Sequence, residues 1–496
     1  MPPAGCRRRA TPCRADTTRR PRHPDRHRFP GNPTEVSSLD SFVWSSSFSE
    51  YGGAPPPSDR PPGDGAGGLR LRPFRGLRYD PAHVSDLASV TSPPYDVVGP
   101  AAMRRLMAAD PHNVVRLILP QEDVAHPGER YHNAAHTLRE WRGEGVLRPD
   151  PAPALYVYEE RSSGPAGVVL QRGLIGALDL VPPGSPVVLP HEDVFPGPVA
   201  DRLALMTATE ANLEPILLLY EGEAEGRRAA ATRIVDDVAA TRPPLLSVDT
   251  ADGTRYRLWA VTEPGTLASI DADLRLRTAL IADGHHRYAT YLELQRRHRE
   301  AGDGPGPWDQ GLALLVDSTV YPPRLGAIHR VLPGLRLDRT VETAKQVLRV
   351  TELGEDLGAA ERALATAADL GPALLITDGT RIHLLTDPDP VALDRAMPAE
   401  RSALWRRIPA AMLHRLLLPS LPLGATTGDP EDDVRLVHDD SSAAVALARE
   451  TDGVAVLLPP MRTADVRALA RDGERVPHKS TSFGPKPRTG LVLRPF

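Results

Sequence analysis

The chain has 496 residues, 41% of them hydrophobic and 25% charged, so it is too long for one ordinary core and two or three packed units are expected. No run of roughly eighteen apolar residues occurs, and the arginine-bearing amino terminus lacks the apolar stretch of a signal peptide, which points to a soluble, cytoplasmic protein without a membrane partner. The only cysteines, Cys6 and Cys13, leave everything after them without a disulfide or a thiolate metal site, so a metal would need His, Asp or Glu.

Residues 1–68 run from arginine clusters through serines to "GGAPPPSDRPPGDGAGG" and show little apolar periodicity, as a disordered extension does. A basic nucleic-acid arm is the other reading of its arginines. The segment carries ten arginines, no lysine and seven acids, so the formal net charge of −5 for the whole chain leaves −8 for residues 69–496. A body that acidic is a poor binder of phosphate backbones, and no nucleic-acid partner is expected.

From Leu69 onwards short apolar runs alternate with amphipathic stretches, the pattern of an α/β to α+β protein with a mixed sheet. Strands are predicted over Asn113–Leu119, Ala154–Glu160, Arg172–Val181, Pro215–Tyr220, Tyr256–Val261, Gly311–Asp317 and Ala373–Gly379. Helices are predicted over Tyr131–Gly143, Asp201–Ala211, His285–Ala301, Val341–Val350, "AAMLHRLLLPSL" and "SSAAVALARE". The loop "AGDGPGPWDQ" and the pattern after it place a boundary near His329, giving a core over 69–329 and a smaller C-terminal α+β unit over 330–496 packed on it.

The stretch "IADGHHRYAT", Ile281 to Thr290, carries the densest chemistry. Ala279–Ala282 reads as a short buried strand, Gly284 as the turn, and the following helix pairs Glu293 with Arg297 and stops at Gly302. At such a corner the glycine admits a ligand close to the backbone, and the free amides and dipole of the helix start favour an anion. Arg287, with its charge held near the surface, adds a fork matched to phosphate, and His285 or His286 a further donor. Asp283 beside such a cradle suits a catalytic base or a magnesium ligand. The same residues also fit a structural corner in which Asp283 caps the helix and Arg287 pairs with an acid.

Blocks running from "RPFRGLRYDP" and "SPPYDVV" through "PHEDVFPGPVADRLALM" and "IADGHHRYAT" to "VPHKSTSFGPKPRTGLVLRPF" resemble, in order, a bacterial and archaeal family called domain of unknown function 1015. That resemblance implies no activity. A weaker one does: "DGHHRYAT" looks like the box in which ParB-type and sulfiredoxin-type proteins hold nucleotide phosphates at a helix start. It implies a ParB/sulfiredoxin-like nucleotide-binding core, Gly284 at the turn, and His286 and Arg287 as the phosphate-binding pair. Sulfiredoxin chemistry needs a cysteine in the phosphate loop, which this chain lacks, and DNA partition suits a basic surface, so a small-molecule phosphotransferase fits best.

Other motifs complete such a site. "LPHEDVFPGPVADR" offers His191 for substrate, Glu192 as general base or magnesium ligand and Arg202 for a phosphate, or else forms a rigid loop with Asp201 capping a helix. Tyr95 and Asp96 in "SPPYDVV" offer substrate contacts or merely shape a turn. "GERVPHKSTSFGPK" fails as a Walker motif, because His478 stands where glycine is needed and Pro477 withdraws an amide, yet Lys479, Ser480, Thr481 and Lys486 suit a basic lid over phosphates. Together these residues predict a protein that binds ATP or another nucleotide with Mg2+ and phosphorylates a small hydroxylated metabolite, with an amino acid such as serine as one candidate. Two other classes fit the same residues: a nucleotide-gated ParB-like switch without turnover, and a metal-dependent hydrolase using His191, Glu192, Asp283 and His285.

Overall fold

Apolar runs such as "ILLLY" and "ALIAD" are buried along their whole length, which requires a sheet covered on both faces. The computed structural model describes residues 67–122, 128–164, 167–223, 227–421 and 434–496. The extension expected over 1–68 lies outside the described residues except for Gly67 and Gly68. Gly68 already belongs to the body, since its amide donates to the Arg275 carbonyl at 2.9 Å. Among the described residues no helix is long and apolar enough to cross a membrane.

The first sheet has nine strands. Eight run in the order Val188–Leu189, Ala279–Asp283, Ile216–Tyr220, Gln310–Asp317, Gly167–Asp179, Leu155–Gly164, Arg255–Val261 and Leu246–Asp249, and Leu71–Arg72 pairs beside Gly167–Asp179. Ala279–Asp283 is parallel to Val188–Leu189 but antiparallel to Ile216–Tyr220, which is in turn parallel to Gln310–Asp317, so the sheet is mixed. One apolar cluster, with Leu218, Trp259 and Ile281, covers one face, and another, with Tyr156, Leu217 and Leu280, covers the other.

A second sheet of six strands, all antiparallel, follows the order Arg349–Gly354, Ile382–Thr386, Leu374–Thr377, Val454–Leu457, Ile328–Leu332 and Arg435–His438. The chain does not end in that sheet. Beyond Val476 it returns across the first: Ser482–Gly484 pairs with Arg324–Gly326, Thr489 with Ser92, Leu493 with Leu77 and Arg494–Pro495 with Ala211–Asn212. This C-terminal strap closes over the end of the strand Ala279–Asp283.

Four predicted elements differ. Asn113–Leu119 is not a strand, because the Asn113 side chain accepts the Val115 amide at 2.9 Å and winds Val115–Ile118 into one helical turn. The helix expected over Val341–Val350 is Leu337–Ala344, and the β-branched stretch after it pairs as the strand Arg349–Gly354 with Ile382–Thr386. "AAMLHRLLLPSL" is α-helical only at Pro409–Met412, then a π turn to Leu417 and a 3-10 turn, since Pro419 supplies no amide for a regular helix. The helix predicted from Asp201 begins at Pro196, which suits a first helical position, so Asp201 lies inside the helix and does not cap it.

Candidate functional site

The strand Ala279–Asp283 reaches its corner through a register shift between Ile281 and Asp283, and Gly284 then turns the chain at φ +93°. A Cβ at Gly284 would lie 2.7 Å from Ile216 Cγ2, so both conformation and space demand glycine. The helix His285–Ala301 starts there without a side-chain cap, holds the Glu293–Arg297 pair at 2.9 Å, and ends at Gly302 with φ +81°. Gly284 is thus the N-cap residue, and Asp283 is the end of the strand.

Asp283 is buried, and each of its oxygens meets a cation: Oδ2 accepts from Arg287 Nη2 at 2.5 Å, and Oδ1 lies 2.6 Å from Lys486 Nζ. Lys486, on the C-terminal strap, also donates to Asp96. Burial pushes the Asp283 carboxyl up, but Lys486 and Arg287 outweigh it and hold it below the usual carboxylate range. Burial opposes the charge of Lys486, yet Asp283 and Asp96 raise its affinity for a proton. Arg287 is only 4% exposed, which corrects the expectation of a charge held near the surface; the i,i+4 carboxylate draws its guanidinium inward, and Nη1 donates to the Pro215 carbonyl at 2.7 Å. Among the described residues its Nε has no partner, and it lies beside Gly284, 3.2 Å from where a Cβ would stand.

A second cluster adjoins the first. The His191 amide donates to His285 Nε2 at 3.3 Å, the two rings sit edge to face at 4.5 Å, and burial keeps both imidazoles neutral, His191 down to about 3 and His285 well below its ordinary value. His191 Nε2 lies 2.8 Å from Thr481 Oγ1, and that hydroxyl donates to Glu192 Oε1 at 2.7 Å. Burial pushes the Glu192 carboxyl up against the pull of Thr481 and Lys479. His286 Nε2 accepts the Phe195 amide at 3.0 Å, and burial, with Lys479 nearby, lowers it to about 4.

The corner therefore brings together Asp283, Gly284, Arg287, Asp96 and Lys486, with His191, Glu192, His285 and Thr481 alongside. Arg202, expected to reach a phosphate, is buried instead, because Asp201 and the Ile118 carbonyl, the latter at 2.7 Å, accept its N–H groups on the inward side of the helix. Its guanidinium lies 4.3 Å from the centre of the Tyr95 ring, so Tyr95 is packed between Arg202 and, at 5.8 Å, Arg287. Ser480, expected on phosphate, is buried and spends its hydroxyl on the Pro477 carbonyl. Lys479 holds a left-handed backbone at φ +52°, and among the described residues its ammonium makes no ion pair.

The donors do not fit a magnesium ion held by the protein. Both Asp283 oxygens carry cations, and among the described residues no group of three or more His, Cys, Asp or Glu could hold a metal, so His191, Glu192, Asp283 and His285 do not form the hydrolase centre. Cavities of about 240 and 540 Å³ flank Arg72 and include none of the corner residues. Glu214 was not anticipated: it is buried, pushed up by burial, and accepts the Tyr95 amide at 2.9 Å and the Thr489 hydroxyl at 3.2 Å. Its signal was present as the lone acid of "ANLEPILLLY", set just before a wholly apolar strand.

No curated protein matches the chain. Among solved structures, a free serine kinase mutant in complex with ADP is 15% identical, covering 60% of this chain and 84% of its own, with a TM-score of 0.30. A conserved hypothetical protein from Pyrococcus furiosus is 15% identical over 60% and 87%, with a TM-score of 0.30. C-terminally truncated SbnI from Staphylococcus aureus is 12% identical over 60% and 79%, with a TM-score of 0.29. Likenesses this distant carry no argument about the present chain. The family model described as protein of unknown function (DUF1015) matches residues 71–411, well over half of the sequence, and the chain belongs to that family.

Proposed function

We propose that the protein binds a nucleotide at the Gly284–Arg287 corner, in a ParB/sulfiredoxin-like core, and transfers its terminal phosphoryl group to a small hydroxylated metabolite, with an amino acid such as serine as the first candidate. The observation that supports it is the buried Arg287 Nε beside Gly284, which has no acceptor among the described residues. A buried N–H of a charged group without a partner costs on the order of 1–3 kcal/mol, and an anionic oxygen brought within reach of it would recover that cost. The uncapped helix start and the Lys479 ammonium, which makes no ion pair among the described residues and acts on Asp283, His285 and His286, add positive potential at the corner.

Phosphoryl transfer needs positioning and charge neutralisation more than covalent chemistry. Arg287 and Lys486 are the fixed cations, and Asp283 acts through them by holding both in place. Magnesium would arrive on the nucleotide's own phosphates. Glu192 is the group suited to take the acceptor's proton, because burial raises its basicity towards the working pH. Incubating the full chain with ATP, magnesium and a panel of hydroxylated metabolites tests this: ADP and a phosphorylated product should appear with one acceptor class, and Glu192→Gln should suppress turnover while nucleotide binding persists. ATP that survives with every acceptor would contradict turnover.

A further inference from the structure

Thr481 occupies an unusual position for a loop hydroxyl. Its Oγ1 lies 2.7 Å from Glu192 Oε1 and 2.8 Å from His191 Nε2, although the three side chains come from two distant parts of the sequence. A carboxylate can only accept, so the hydroxyl hydrogen points at Glu192, and Oγ1 must then accept the N–H of the neutral His191 ring. An sp³ oxygen has four directions; with Cβ, the hydrogen and one lone pair assigned, a single lone pair is left to attack. A second amide contact, Thr481 N to Glu192 Oε1 at 3.3 Å, holds the backbone against the same carboxylate.

This is how a nucleophile and its base are arranged: hydroxyl within hydrogen-bond reach of a carboxylate, and the oxygen fixed from a second side. Thr481 is half-buried, so the oxygen is not sealed away. The next cations along the strap are Lys479, whose ammonium has no ion pair among the described residues, and Lys486, which sits on Asp283. Ser480, between Lys479 and Thr481, is a poor alternative, because its hydroxyl is buried and donates to the Pro477 carbonyl.

We propose that Thr481 is a site of self-phosphorylation: with a nucleoside triphosphate at the Gly284–Arg287 corner, the free lone pair of Thr481 Oγ1 attacks the terminal phosphorus. The new bond is Oγ1–P, the bond to the bridging oxygen breaks, the nucleoside diphosphate leaves with that electron pair, and the hydroxyl proton passes to Glu192 Oε1. The inference rests on the nucleotide reading of the corner, and it makes Thr481 the first acceptor hydroxyl to meet the base. Once Glu192 releases that proton, its charge repels the new phosphate while Lys479 attracts it, so the modified loop would leave the carboxylate.

The test uses the full chain, ATP labelled in its terminal phosphate, and magnesium, read by intact mass and peptide mapping. One added phosphate at Thr481 is expected, at a rate per molecule independent of protein concentration. Thr481→Ser should keep the modification, Thr481→Val should abolish it, and Glu192→Gln should slow it by about a hundredfold or more. Label that maps elsewhere, or that persists in Thr481→Val, overturns the proposal. Thermal melts with and without nucleotide separate the two levels of failure: a chain stabilised by ATP yet unmodified contradicts this proposal alone, whereas a chain that ATP does not stabilise contradicts the nucleotide reading beneath it.

Discussion

The Lys486 ammonium lies 2.6 Å from Asp283 Oδ1, so a residue of the C-terminal strap completes a carboxylate whose other oxygen is held by Arg287 at 2.5 Å. Breaking a buried pair by removing one partner costs roughly 3 to 5 kcal/mol, because the other charge is left uncompensated. Arg287→Ala should fall near the lower end, about 3 kcal/mol, since Lys486 remains on the same carboxylate. Lys486→Met should cost less, about 1.5 to 3 kcal/mol, the worth of a charge-assisted hydrogen bond. Urea midpoints of the two variants check both. An Arg287→Ala protein as stable as the parent would show that the ion pair with Asp283 does not hold the corner together.

Gly284 has a narrower tolerance. Its φ of +93° disfavours any L side chain, and an added Cβ would lie 2.7 Å from Ile216 Cγ2 on the neighbouring strand. Gly284→Ala should destabilise the fold by about 1 to 3 kcal/mol, the usual cost of a residue held in a sparsely populated backbone region. The expected readout is a lower melting temperature, with Gly197→Ala as a control, because open space surrounds that glycine.

Glu160 gives the molecule a pH dependence away from the corner. It is 5% exposed, receives the Tyr158 hydroxyl at 2.7 Å, and burial raises it from 4.5 to about 7. The folded state therefore holds this proton more tightly than the unfolded chain. Its contribution is most favourable below pH 4.5 and is lost as pH rises through the window from 4.5 to about 7. At about 1.4 kcal/mol per unit the loss is about 3 kcal/mol. Glu160→Gln keeps the acceptor for Tyr158 and does not titrate, so its stability relative to the parent should rise across that window and level off above it. Urea unfolding at stepped pH measures the difference; parallel curves would show that Glu160 does not titrate there.

The corner itself was legible because each of its parts is local. A short apolar strand, a glycine and a helix with an i,i+4 ion pair occupy consecutive residues, and the predicted helix His285–Ala301 has the observed bounds. The inward turn of Arg287 was harder to read, although its partner Asp283 stands one helical turn away in sequence, because burial of that pair depends on the strap above it. The strap's course is set by pairings between distant segments, Thr489 with Ser92 and Leu493 with Leu77, which no periodicity encodes. Lys486 accordingly read as part of a surface lid. Arg202 was misplaced for a related reason: the Ile118 carbonyl and the Tyr95 ring that hold its guanidinium come from distant parts of the sequence.

The central claim, that this corner binds a nucleotide, is tested most directly by calorimetric titration of the full chain with ATP, with and without magnesium. The account predicts saturable binding at one site per chain, together with thermal stabilisation of about 2.7 kcal/mol at a hundredfold excess over the dissociation constant. It also predicts weaker binding in Lys479→Ala, because the Lys479 ammonium makes no ion pair among the described residues and lies beside the corner. Absence of heat and of stabilisation by ATP, or binding left unchanged in both Lys479→Ala and Lys486→Met, would contradict it.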